Sequence, residues 1–473
     1  MYDQLKPALH IATREVRDQF RDWRIIFPAV ALTVFFPFLM NFTAQQILGF
    51  VERYGATIIG ERLVPFLLMI TGFFPISVSL VIALESFVGE KERGSIEPLL
   101  NSPLKDWQLY LGKLLSSIVP PLFTSYLGMG VYLAGLLLGG VRLPSWDLLA
   151  LVFLLSTVQA LVMVSGAVVV SSQATSVRAA NLLASFIIIP MALMVQGEAM
   201  VMFWGTYSTL WLVVFALVVL SFLLVRVGLA HFQREELLGH EIDVLNIRWA
   251  WGVFRKTLTG GARGIGEWYR VSVGDTLKNL RRPFLMMTVL AVGGIFVGLY
   301  LTKIFPIPLQ SVTQGDWKAQ VQSSLDLWPL FARQNFLAFL SNNVRFMLLS
   351  VILGMLSLGI FGVLPTIATV AVTSYLVGTL AASGLPGLPI LVGFILPHGW
   401  LEVGAGILAS SVILYGGARL ASAGEKKTIG EISIISLAEW VKIFVGVVIP
   451  MLLLAAAIEV WVTPRIASLI LGG

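Results

Sequence analysis

Between Arg345 and Arg419 the chain runs for 73 residues, Phe346 to Ala418, with one charged side chain, Glu402. A run this long and this uncharged belongs in a bilayer. About 20 apolar residues cross the hydrocarbon as a helix, and a helix satisfies its own backbone hydrogen bonds where no water can. The run holds three such spans, with tight turns near Pro365 and Gly384 to Gly387. The remainder agrees: of 473 residues, 57% are hydrophobic and 12% charged, and the mean hydropathy is +0.88. The chain is a polytopic membrane protein rather than a soluble one with an anchor.

Extending this reading predicts an all-α fold of about 11 transmembrane helices, six and then five, with amphipathic interfacial helices. The first six are Ile25 to Ala44, Leu63 to Leu84, Leu114 to Val141, Leu148 to Val170, Ala179 to Val195 and Leu210 to Val225. Pro283 to Leu301 follows, then the three uncharged spans, then Val441 to Val462. Residues 1–24 interleave Leu5, Leu9, Val16, Phe20 and Trp23 with five Lys or Arg, the pattern of an elbow lying in the membrane interface. Aromatics among basic residues across 227–282 predict further interfacial helices, broken near Gly260-Gly261. Leu325, Leu327, Trp328, Phe331, Phe336, Phe339 and Leu340 suggest helices lying on the outer interface. The expected domains are residues 1–228, a linker at 229–280, and residues 281–473.

The net charge of +6 follows from topology. With the N-terminus inside, 24 of the 32 Lys and Arg fall in cytoplasmic segments, as the positive-inside rule requires, so no nucleic acid is needed to explain it. The absence of cysteine excludes disulfides, thiolate metal sites and cysteine catalysis. A charged segment of 24 residues precedes the first apolar run, so that span is expected to act as an uncleaved insertion signal. His240-Glu241 starts like a zincin helix, but Val244 stands where the second histidine belongs, and no metal site is expected. The glycines at 260, 261, 264 and 266 form no Walker A loop, so the chain holds no cofactor of its own and any ATP is bound by a partner. No Ser/Lys, paired-Asp or HExxH constellation supports an intramembrane enzyme.

Two polar features remain. The first is Glu85 to Lys113, ESFVGEKERGSIEPLLNSPLKDWQLYLGK, set between two uncharged runs. Gly94 can end the incoming helix, Ser95 can cap a short stub tolerating Pro98 in its first turn, and Ser102-Pro103 reads as N-cap and N1 of the returning helix. Such a stub, carrying Ile96, Leu99 and Leu100 on one side, suits a groove on a cytoplasmic partner. The plainer reading is a solvated loop that only orients the spans. The second feature is Glu402 itself, which at membrane depth costs ~2.5 to 3.5 kcal/mol if ionised and so is protonated, solvated or partnered. His398 shares its helix face at a spacing of four. The pair is either a polar site in a groove, sensitive to protons, or buried hydrogen-bonding glue between helices. Glu459, near the outer end of its span, is expected to snorkel.

Glu90, Glu92-Arg93-Gly94-Ser95-Ile96-Glu97, Leu99-Leu100, Ser102-Pro103 and Gly112-Lys113, with Arg14-Glu15-Val16-Arg17-Asp18 and Arg21-Asp22 ahead of the first span, resemble type-2 ABC exporter permeases over about the first 228 residues. The resemblance implies a six-span half-transporter, a separate cytoplasmic ABC ATPase subunit coupling at Glu90, Glu92, Arg93, Gly94, Ser95, Glu97, Ser102 and Pro103, and a homodimer or a pairing with a related permease. Leu396-Pro397-His398-Gly399-Trp400-Leu401-Glu402, with Phe339-Leu340-Ser341-Asn342-Asn343 and the glycines at 354, 359 and 362, resembles the stage II sporulation protein M family over about 281–465. This second resemblance implies a five-span, non-catalytic domain whose polar site comprises Asn342, Asn343, His398 and Glu402. Ser374-Tyr375 replaces the family's Asn-Gly pair, which removes any role tied to that Asn. The expected protein is a lipid-embedded permease of the bacterial cytoplasmic membrane. Its alternative is a scaffold that recruits cell-envelope proteins and moves no solute.

Overall fold

The computed structural model describes residues 2–54, 57–97, 101–174, 176–203, 207–232, 246–306, 317–422 and 427–472. Among these there is no strand. Ten helices among the described residues are long and apolar enough to cross a membrane, which makes the chain an all-α polytopic membrane protein close to the expected 11 spans. Contacts divide the chain into two units, one of residues 1–245 with 421–423 and one of 246–420 with 424–473.

The first unit holds α1 (Tyr2–Gln19), α2 (Trp23–Tyr54), α3 (Thr57–Leu84), the short α4 (Val88–Glu92), α5 (Asp106–Leu138), α6 (Trp146–Gln173), α7 (Val177–Leu183), α8 (Ser185–Phe203) and α9 (Tyr207–His231). The expected span Ile25 to Ala44 is helical within α2, although several of its side chains fall outside the described residues. Helices α3 and α6 are the most enclosed spans, with Leu68, Met69 and Ile76 of one and Leu155, Met163 and Val164 of the other fully buried. Around them, α9 and α2 turn Trp211, Phe215, Phe222, Phe35 and Phe38 outward, where lipid is the matching solvent.

Helix α1, expected as an interfacial elbow, packs along α5. Ala8 and Ala12 are buried against α5, where Gly112 leaves room: a Cβ there would lie 2.9 Å from the Ile11 Cβ and 3.0 Å from the Ala8 carbonyl oxygen. Helix α5 starts at Asp106, not at Pro103. Its first turn is closed by Lys105, whose backbone N–H donates to Gln108 Oε1 at 2.9 Å, a stronger start signal than the Ser-Pro pair because the N3 side chain reaches back to a free donor.

The second unit opens with α10 (Ile247–Thr259), which stops at Gly260 and Gly261, both with positive φ, so the expected break is present. After it come α11 (residues 265–279), α12 (Arg281–Ile304), α13 (Trp317–Leu327), α14 (Ala332–Leu356), α15 (Leu364–Ala382), α16 (Gly387–Leu420), α17 (Ile429–Trp461) and α18 (Thr463–Gly472). Phe336, Phe339 and Leu340 belong to α14, which runs unbroken from Ala332, because nothing between Ala332 and Leu356 interrupts helical hydrogen bonding. Phe336 instead meets Trp461 at 5.6 Å and Phe339 stacks on Trp328 at 6.1 Å.

Two of the long helices of this unit contain a π turn directly ahead of a proline. In α16 it spans Leu391–Ile395 before Pro397, and in α17 Phe444–Val448 before Pro450. Proline has no N–H and crowds the carbonyl four residues back, so the helix takes up an extra residue there. In α17 that carbonyl belongs to Gly446, and the Tyr269 hydroxyl of α11 donates to it at 2.9 Å. Helices α12 and α15 cross closely on small residues: a Cβ on Gly298 would lie 2.2 Å from the Ala371 carbonyl oxygen.

Candidate functional site

The polar stretch after α3 is a built hinge. Helix α3 ends at Leu84, and the backbone N–H groups of Phe87 and Val88, which have lost their helical acceptors, both donate to Ser171 Oγ of α6 at 2.9 and 3.2 Å. Helix α4 then closes as a Schellman motif. Gly94, at φ +68, donates its N–H to the Lys91 carbonyl at 3.2 Å, and Ser95 donates to the Glu90 carbonyl at 3.0 Å. Gly94 thus fills its expected place at C′. Ser95 precedes a new helical turn at Ile96-Glu97, whose continuation through Pro98, Leu99 and Leu100 lies outside the described residues.

The other residues of the hinge divide between inward and outward work. Glu92 accepts the Val177 N–H at 2.7 Å, at the N-terminus of α7, where a negative charge is favoured. Arg93 lies 3.7 Å from Glu85 and is largely exposed, while Gly94, Ser95, Glu97 and Pro103 are exposed and Ser102 is half-buried. Ile96 is 3% exposed: it packs inside the chain and is not free to meet a partner, which corrects the docking face expected of it.

Below the hinge sits an ion cluster. Lys113 of α5 is 2% exposed and bonded to two carboxylates, Glu15 of α1 at 2.5 Å and Glu90 of α4. Ser116 Oγ donates to the second Glu15 oxygen at 3.1 Å, and the Phe87 ring centroid lies 6.0 Å from the ammonium. Three separate sequence patterns, the leading Arg-Glu segment, the Glu90 run and the Gly-Lys pair, therefore meet at one cation. The cluster ties together α1, α4 and the long span α5. A buried ammonium with two carboxylate partners resists separation, since removal of one partner leaves charge uncompensated.

In the second unit, His398 and Glu402 share a face of α16, as their spacing predicts, and Asn343 of α14 donates through Nδ2 to Glu402 Oε1 at 2.5 Å. Asn342 is exposed and does not join them. The sequence missed Glu459. Rather than snorkelling, it brings Oε1 to 3.8 Å from His398 Nε2, while His398 Nδ1 pairs with the buried Thr463 hydroxyl at 3.2 Å. Ligand atoms of His398, Glu402 and Glu459 all lie within 4.8 Å of one another, a grouping able to hold a metal ion. Only tertiary packing reveals this, because 57 residues separate Glu402 from Glu459 along the chain.

A second buried carboxylate also escaped the sequence reading. Glu198 of α8 is 2% exposed and accepts from Gln159 Nε2 of α6 at 2.5 Å; Glu198 Oε1 and the amide oxygen of Gln159 are buried without a hydrogen bond. Glu198 falls just beyond Val195, the expected end of span five, so its position in the sequence gives no sign that it lies within a span. The structure continues that helix to Phe203.

These features define a multi-pass membrane protein with a tied polar hinge in its first unit and an enclosed polar cluster in its second. Residues 9–207 match the family model described as ABC-2 family transporter protein, and residues 285–464 match that described as Stage II sporulation protein M. The two matches cover separate stretches of the chain and, with its membrane-spanning helices, support a membrane transporter-like protein. No curated protein and no solved structure matches it significantly.

Proposed function

We propose that this chain is the membrane permease subunit of an ABC-type exporter, driven by a separate cytoplasmic ATPase that engages the hinge around residues 90–105. The observation carrying this reading is the Glu15–Lys113–Glu90 cluster. A load applied to the exposed stub passes through Glu90 to Lys113 in α5 and Glu15 in α1, so a docked motor moves a span and the elbow together. The ABC-2 family match supports such a partner and a lipid setting. Glu92, Gly94 and Ser95 shape the stub, and the exposed Arg93 and Glu97 are its contact residues. The chain sits in a bacterial cytoplasmic membrane with its N-terminus inside. It pairs with a second copy or a related permease, and ATP binds on the partner.

The test is co-purification. Arg93→Glu and Glu97→Lys should each strip a co-purifying ATPase from the full chain while leaving its elution and Tm unchanged. Glu92→Lys is a poorer probe, because it also removes the acceptor at the start of α7. An ATPase that stays bound to the double variant defeats the proposal.

The second reading, a scaffold for cell-envelope proteins, draws on the stage II sporulation protein M match over residues 285–464. Recovery of wall-modifying enzymes without an ATPase would favour it.

A further inference from the structure

We propose that His398, Glu402 and Glu459 form a binding site for a divalent first-row transition metal inside the second unit, with Asn343 and Thr463 as its supporting shell.

The donor set is the first argument. One imidazole and two carboxylates are borderline-to-hard ligands of the kind that hold Zn²⁺, Mn²⁺ or Fe²⁺, and three protein ligands leave further positions for water or a substrate oxygen. Geometry is the second. Ligand atoms bound at about 2.0–2.2 Å to one tetrahedral ion stand roughly 3.3–3.6 Å apart. His398 Nε2 and Glu459 Oε1 are at 3.8 Å, and the whole set lies within 4.8 Å, so side-chain rotations of about 1 Å close it on an ion.

The outer shell is the third argument, and it separates a ligand set from a chance grouping. His398 Nδ1 pairs with the Thr463 hydroxyl at 3.2 Å, and in the tautomer in which Nδ1–H donates there, the Nε2 lone pair faces Glu459, as a metal requires. Asn343 Nδ2 holds Glu402 Oε1 and leaves Oε2 free to ligate. Each support comes from a different helix than the ligand it orients.

The fourth argument is charge. Among the described residues neither Glu402 nor Glu459 has an Arg or Lys partner, although both lie in helices apolar enough to cross the membrane. Two carboxylates and an imidazole facing one another there call for a positive centre between them, and a divalent ion supplies it. Two protonated acids hydrogen-bonded to their neighbours are the competing arrangement, and the experiment separates the two.

Full-length protein, purified in detergent without chelator and with its tag removed, should carry about one equivalent of a transition metal by elemental analysis. Stripped with EDTA and given Co²⁺, it should develop visible ligand-field bands. His398→Gln and Glu459→Gln should abolish both signals, and Asn342→Ala should leave them intact. Asn343→Ala removes no ligand and should weaken Co²⁺ affinity by about 10–100-fold, which keeps the test decisive if a ligand variant fails to fold. Folded wild-type protein that takes up none of Zn²⁺, Mn²⁺ or Co²⁺ overturns the proposal and leaves the protonated pair. Equal metal content in wild type and both ligand variants also overturns it.

Discussion

At the scale of single residues, Lys113 is the most consequential side chain of the first unit. Lys113→Met would leave Glu15 and Glu90 facing each other with no cation, and breaking a buried pair in this way costs about 3–5 kcal/mol. We expect a clear fall in Tm and loss of any ATPase association. A Glu15→Gln/Glu90→Gln double-mutant cycle should show coupling, because both act on one ammonium. Glu198 gives a contrasting case. Glu198→Gln keeps an acceptor for Gln159, whereas Glu198→Leu abandons the buried amide at a cost of about 1–3 kcal/mol, so only the second should lower Tm. If both behave alike, the Gln159 bond contributes nothing to stability.

At the scale of elements, packing is testable because the chain has no cysteine to interfere. A Cβ on Gly378 would stand 3.5 Å from the Thr302 Cβ, within the range a disulfide spans. Thr302→Cys/Gly378→Cys should therefore cross-link on mild oxidation, and adding Gly298→Leu, which forces α12 away from α15, should abolish the cross-link. Gly94→Val places a β-branched residue at φ +68, which costs about 1–2 kcal/mol, and it should loosen the stub without unfolding the spans. This scale also shows what the sequence could and could not say. Long uncharged runs disclosed the spans, since hydrophobic length is a local property, and Gly94 and the Gly260-Gly261 break were legible because positive φ is written in the residue itself. The start of α5, the inward-facing Ile96 and the continuity of α14 were not, because each depends on which neighbour a side chain finds. Glu459 was misjudged for the same reason: position along a helix suggested the interface, while the partner that holds it comes from α16.

For the molecule as a whole, the proposed orientation predicts a labelling pattern. A cysteine introduced at Glu97 should react with an impermeant maleimide only after the cells are opened, and one at Ser383, in the α15–α16 turn, should react in intact cells. The reverse pattern would put the hinge on the wrong side for an ATPase and end the permease proposal. One further consequence concerns the π turn at Leu391–Ile395. Each residue of an α-helix advances the azimuth by about 100°, so the extra residue in that turn sets the heading of everything after it, His398 and Glu402 included. Deleting one residue among 391–395 would swing both side chains away from Glu459 and Asn343 while changing no amino acid in the cluster, so the aim of the polar centre rests on a single-residue surplus one turn upstream.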